Sequence, residues 1–162
     1  MSKWNVFFKE NDGNNFPHNS LVSFFFKNIY KIKKKKIDIL DLGCGTGSSL
    51  MLIRKNSFNV DLVDISKAAL NKINKINKKN KNIKTFNKDF NYFLRYSKKK
   101  YDLIIDSASI QHQTEDEIKQ SYNLINKNLK KNGYFFSINL NSNSGLNDAY
   151  FYVTKLKKNK LL

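Results

Sequence analysis

Asp41, Gly43, Gly45 and Gly47 are the residues of this chain whose types and spacing promise chemistry most directly. They stand in Asp38-Ile-Leu-Asp-Leu-Gly-Cys-Gly-Thr-Gly-Ser48, where a short apolar run gives way to glycine at every second position. Glycines there allow a sharp turn and let a ligand lie against bare backbone, because no side chain intervenes. The spacing discriminates between ligands. A dinucleotide fingerprint reads G-x-G-x-x-G, and a phosphate loop needs G-x-x-x-x-G-K-[ST]; this chain has neither. Further carboxylates recur at intervals: Asp64 in Leu62-Val-Asp-Ile-Ser66, Asp89 in Asn87-Lys-Asp-Phe90, and Asp106 in Tyr101-Asp-Leu-Ile-Ile-Asp106. A carboxylate facing a diol forms two charge-assisted hydrogen bonds, each worth about 1.5–3 kcal/mol. Taken singly, Asp64 or Asp89 could equally be a helix cap.

One imidazole follows these acids closely. His112, in Ser109-Ile-Gln-His-Gln113, carries the side-chain type most used for proton transfer and is the candidate catalytic base. It reads equally well as a substrate contact or a packing residue. His18, beside Pro17, reads as a helix-start residue. Cys44, the single cysteine, allows neither a disulfide framework nor a cysteine-rich metal site, and no metal centre is expected.

The elements that must position these residues alternate. Trp4, Phe7 and Phe8 fall on one helix face, and Leu21, Phe24, Phe25, Ile29 and Ile32 form the stripe of a second helix. From Ile37, short apolar runs predict strands at 37–42, 60–63, 83–86, 101–105 and 134–140. Ser66 caps a helix carrying Ala69, Leu70, Ile73 and Ile76; 90–96 is a short helix; Thr114 with Glu117 is a capping box whose helix runs to about Leu129 and is ended by Asn132-Gly133. Strands apolar on both faces, alternating with helices, predict a parallel sheet covered on both sides. Ligands of such sheets bind beyond the carboxyl ends of the strands, here near 41–47, 64, 89 and 106–112.

Asp41-x-Gly43-x-Gly45-x-Gly47 closing a strand resembles motif I of the class I S-adenosylmethionine-dependent methyltransferases, and the resemblance continues in order over roughly 37–140. It implies a three-layer α/β/α Rossmann-like fold, S-adenosyl-L-methionine as cofactor, and methyl transfer to an oxygen or nitrogen. It implies cofactor contacts at Asp41, Gly43, Cys44, Gly45, Thr46, Gly47, Asp64, Ile65, Asp89, Phe90 and Asp106, with Asp64 on the ribose and the Asp89-Phe90 segment on the adenine. Residues 1–33 resemble the helices that help roof the cofactor pocket in that family.

The formal charge of +17 invites a nucleic-acid partner, yet only Arg54 and Arg95 of the 30 basic residues are arginine. Lysine is a hydrated point charge without arginine's bidentate fork, so solvated surface is the favoured reading and an RNA target the alternative. The segment after Asp106 lacks the Asn/Asp-Pro-Pro-aromatic motif of adenine amino-group methylators, and no Pro-Cys dipeptide serves pyrimidine attack. A small metabolite or sugar-type intermediate is the expected acceptor. No apolar run spans a membrane, and a cytoplasmic protein of one domain is expected. The stretch 141–162 is short for the antiparallel hairpin that usually closes this sheet. A truncated chain, a non-catalytic cofactor-binding module and an open fifth strand inviting a homodimer are the corresponding expectations.

Overall fold

The computed structural model describes residues 2–32, 36–53, 58–140 and 149–155. Two helices, α1 (Lys3–Glu10) and α2 (Asn19–Asn28), precede β1 (Asp38–Leu42), α3 (Leu50–Ile53), β2 (Asn59–Asp64), α4 (Lys67–Ile76), β3 (Ile83–Asn87), α5 (Phe90–Tyr96), β4 (Tyr101–Ser107), a 3-10 turn at Ile110–His112, α6 (Glu115–Asn128), β5 (Leu129–Leu140) and β6 (Ala149–Lys155). The sheet order is β3-β2-β1-β4-β5-β6, with β1 to β5 parallel and β6 antiparallel to β5. Order therefore reverses between β1 and β4, which opens a crevice beyond their carboxyl ends.

Alternation along the strands sorts the core onto two faces. Ile39, Leu62, Leu103 and Phe136 meet Leu21, Phe24 and Phe25 of α2, Ile53 of α3 and Ile73 of α4. Leu40, Val63, Ile104 and Phe135 meet Leu94 of α5 and Ile125 of α6. The fold is thus three-layered and Rossmann-like. Phe24 packs on Phe136 with centroids 5.1 Å apart, so α2 serves the core, while Trp4 and Phe8 of α1 face the crevice.

Local chemistry sets the helix ends. Ser66 accepts from the Ala69 amide, Thr114 and Glu117 complete the capping box, and His18 is the N-cap of α2. Asn128 closes α6 by donating from Nδ2 to the carbonyls of Leu94 and Leu124, both at 2.8 Å, which joins α6 to α5. Replacing Asn128 with leucine strands two buried acceptors and is expected to destabilise the protein by about 1–3 kcal/mol. The midpoint of urea unfolding reads this directly.

Two expectations are corrected. The helix ends at Asn128, and Asn132-Gly133 lies inside β5, where Asn132 takes φ +66° in an irregularity of the β4–β5 register. β5 is not an open edge either: β6 pairs with it from Tyr134↔Lys155 to Leu140↔Ala149, so β6 forms that border of the sheet.

At the amino ends of the strands lies an ion cluster. Lys130 Nζ bonds Asp38 and Asp102 at 2.6 and 2.8 Å, while Lys99 Nζ and the Tyr101 hydroxyl reach Asp61, both at 2.9 Å.

Candidate functional site

A cavity of about 470 Å³ opens at the other end of the sheet, beyond β1, β2 and β4. Asp41, Gly43, Cys44, Gly45, Thr46, Asp64, Ile65, Asp89, Phe90 and His112 all line it. Ten of the twelve expected site residues therefore converge on one space, although they come from four separate segments.

The glycine turn is built by hydrogen bonds at its own backbone. The Cys44 amide donates to the Val63 carbonyl at 3.1 Å, and the Gly45 amide donates to Asp64 Oδ2 at 2.8 Å. Asp64 Oδ1 accepts the Ser66 amide at 2.7 Å. Each oxygen of Asp64 thus spends one lone pair on the fold and keeps capacity for a ligand. Gly43 and Gly45 have φ of +59° and +52°, and a Cβ on Gly45 would stand 3.1 Å from the Phe8 ring. Bare backbone is a steric requirement here, not only a conformational one.

Gly47 and Asp106 fall outside the cavity. Gly47 has φ +86°, and a Cβ there would meet Leu50 at 2.9 Å and Ile73 at 3.2 Å, so its role is close helix packing. Asp106 is wholly buried: Oδ1 accepts the amides of Ser109 and Ile110 at 2.8 and 3.1 Å, and Oδ2 accepts the Ser137 hydroxyl at 2.7 Å. It positions the loop after β4 instead of meeting a ligand. Asp89 is both a cavity residue and the N-cap of α5, accepting the Tyr92 amide at 2.8 Å.

Further walls of the site fall in ranges the sequence points to without singling the residues out. Trp4 and Phe8 come from α1 and Asn14 from the following loop, within 1–33; Ser107 ends β4 and Ala108, Ser109 and Gln111 follow it, within 106–112; Gln113 lies just beyond. The helical spacing of Trp4 and Phe8 marks a face but not what it covers. That face is fixed from a distance: Asn5 Oδ1 accepts the Ala68 amide at 2.9 Å, pinning α1 to α4, and the Thr46 hydroxyl donates to the Asn14 carbonyl at 3.3 Å. Trp4 and His112 then face each other with ring centroids 5.1 Å apart.

Three buried carboxyl groups, those of Asp41, Asp64 and Asp106, crowd this end of the sheet. Burial, with the neighbouring charges of Asp106 and Asp64, pushes the Asp41 carboxyl up to about 7 despite a hydrogen bond from Ser49. Burial also raises Asp64 and Asp106, against the hydrogen bonds they accept. Burial and the charges of Asp41 and Asp64 push the Cys44 thiol well up, so it stays protonated and is no nucleophile. A carboxyl whose folded-state value lies above its unfolded one takes up a proton on folding. That stabilisation is complete below about pH 4 and is lost as pH rises through 7. The protein is therefore expected to be less stable at pH 8 than at pH 5, by on the order of a few kcal/mol, and Asp41→Asn should flatten the dependence in urea titrations at the two pH values.

A doubly wound sheet with a bare-backbone turn and an acid at the tip of the next strand defines the Rossmann-like class that holds nucleoside-bearing ligands. A methyltransferase domain family matches residues 33–160. Malonyl-[acyl-carrier protein] O-methyltransferase 1 of Ilyobacter polytropus is 35% identical over 80 residues, which is 48% of this chain and 29% of that protein. TehB from Haemophilus influenzae superposes with a TM-score of 0.66 at 19% identity, over 84% of this chain and 45% of TehB. An S-adenosylmethionine-dependent methyltransferase from Clostridium acetobutylicum gives 0.63 at 22% identity, over 85% of this chain and 56% of that one. This chain spans less than a third of the curated relative and about half of each of these two structures. The chain belongs to the methyltransferase domain family, whose cofactor is S-adenosylmethionine.

Proposed function

We propose that this chain binds S-adenosyl-L-methionine in the cavity and transfers its methyl group to an oxygen or nitrogen of a small acceptor, a metabolite or sugar-type intermediate. The observation that carries this reading is the Gly45–Asp64 pair: a bare-backbone turn at φ +52° with Phe8 close over it, bonded to a carboxylate with unspent lone pairs. The residues fit the group. The cavity lies within the ordinary range of about 300–1,000 Å³ for small-ligand sites. Asp64 would hold the ribose hydroxyls, Asp89 and Phe90 the base, and Asp41 the cationic end. When bound, the cofactor supplies a methyl group already activated by a positively charged sulfur. The protein's part is then positioning and exclusion of water, which together can supply up to about 7–11 kcal/mol. Trp4 and the loop of Ser107 to Gln113 would hold the acceptor in place.

Isothermal calorimetry with S-adenosylmethionine and S-adenosylhomocysteine tests the proposal, and no uptake of either at millimolar concentration by folded protein ends it. His112 lines the cavity and is the candidate to accept the acceptor's proton. If it does so, His112→Ala lowers turnover by about 10²–10⁴-fold while leaving cofactor affinity unchanged. Single-turnover kinetics beside calorimetry separate these quantities, and full turnover assigns His112 to packing.

A further inference from the structure

The chain carries 30 lysines and arginines against 13 acids. At that overall frequency a wall the size of this cavity's would hold about three cations. Among the described residues that line it there is neither a lysine nor an arginine, while Asp41, Asp64 and Asp89 are carboxylates. The run 141–148, which follows β5 in sequence, contains no lysine or arginine either. Lysines close by in the chain are directed elsewhere. Lys88 stands over Tyr92 at 5.2 Å, and Lys72 bonds the Asn11 carbonyl and Asp12; Lys3 is the exception, standing over the Trp4 ring at 5.7 Å though it is not itself part of the cavity lining.

Among the described residues, the wall beyond β4 holds no carboxylate, lysine or arginine. Trp4 and His112 face each other, and Ser109, Gln111 and Gln113 complete it. S-adenosylmethionine itself bears one net positive charge, set against the carboxyl groups of Asp41, Asp64 and Asp89, of which burial holds Asp41 partly protonated near neutral pH. An anionic group entering this space would lose its water, meet carboxyl groups, and find no lysine or arginine among the described lining residues to replace its solvation. A neutral hydroxyl finds amide and imidazole partners, and an ammonium finds carboxylates and the π-face of Trp4.

We propose that the methyl acceptor enters this cavity as an uncharged or cationic molecule bearing a hydroxyl or amine, and that the cavity rejects acceptors with a carboxylate or phosphate next to the reacting atom. The proposal rests on the reading of this cavity as a methyltransferase site. The selectivity opposes the long-range field, since a net charge of +17 draws anions to the protein at large. Discrimination by a repulsive wall is a recognised route to specificity.

Trp4 is the single tryptophan of the chain, so its indole N–H gives one isolated signal at the cavity wall. The full chain, nitrogen-15 labelled and saturated with S-adenosylhomocysteine, is titrated with three probes of one skeleton: benzyl alcohol, benzylamine and benzoate. Benzyl alcohol or benzylamine is expected to shift the Trp4 signal saturably, with a dissociation constant at least tenfold below that of benzoate. Benzoate binding within threefold of the better of the two, or no saturable shift from either of them at tens of millimolar, overturns the proposal. Lys3 beside the indole biases the readout toward benzoate, which makes the expected order harder to obtain by accident. Failure of S-adenosylhomocysteine to bind would count against the proposed function alone. The same three titrations on the free protein would still report the charge preference.

Discussion

Gly43→Ala is expected to destabilise the protein by about 2–5 kcal/mol, the largest effect of any single methylene in the glycine turn. Two costs add. The residue sits at φ +59°, where an L side chain costs about 1–2 kcal/mol. The new Cβ would lie 2.1 Å from Ser109 Oγ and 2.5 Å from Ser109 Cβ. The Ser109 side chain is held where it is, because its hydroxyl donates to the Gly43 carbonyl at 3.1 Å and its amide donates to Asp106. Overpacking of this kind costs about 1–3 kcal/mol. Thermal unfolding of Gly43→Ala, Ser109→Gly and the double variant separates the terms. The double variant should recover the steric share and keep the backbone share. A Gly43→Ala protein that melts with the wild type would mean that the turn does not press on the loop after β4.

The second large effect falls on affinity. Asp64→Asn keeps the shape of the side chain but replaces an acceptor oxygen with an N–H₂ group. Both oxygens of Asp64 accept backbone amides, from Gly45 and Ser66, so either orientation of the asparagine sets a donor against a donor. That mismatch costs about 1–3 kcal/mol of stability. Loss of one charge-assisted bond to a ribose hydroxyl costs a further 1.5–3 kcal/mol or so of binding, about 10- to 150-fold in dissociation constant for S-adenosylhomocysteine. Calorimetry on the variant, at a temperature where it is fully folded, reads the second number free of the first. Unchanged affinity would remove Asp64 from the ligand's contacts.

What the sequence discloses and what it conceals divide along a physical line. The turn at Gly43 to Gly47, the strand ends at Asp64 and Asp89, and the capping box at Thr114 are local patterns, decided within about a dozen residues. Each stands where the pattern puts it. Asp106 looks the same in sequence as Asp64, an acid closing an apolar strand, yet its oxygens go to Ser137, 31 positions away, and to the two amides of its own loop. No local pattern reports that three hydrogen bonds turn its oxygens inward and leave it off the cavity wall. Trp4 and Phe8 show the same limit from the other side. Their spacing announces an apolar face, but whether it covers core or cavity depends on Asn5 reaching Ala68, 63 positions on. Asn132-Gly133 reads as a helix stop because the pair favours positive φ; the same preference serves an irregular strand equally well.

That irregularity has a consequence for how the second half of the sheet assembles. Between the pairs Tyr101↔Leu129 and Leu103↔Tyr134, β5 carries extra residues, and Lys130 among them reaches the carboxylates of Asp38 and Asp102. A strand shifted by one place along β4 would turn Phe136 to the opposite layer and carry the ammonium away from both acids at once. Lys130 therefore works as an alignment pin for β5. Because β6 is laid against β5 and touches no other strand, an error tolerated there would be copied into the outermost ribbon.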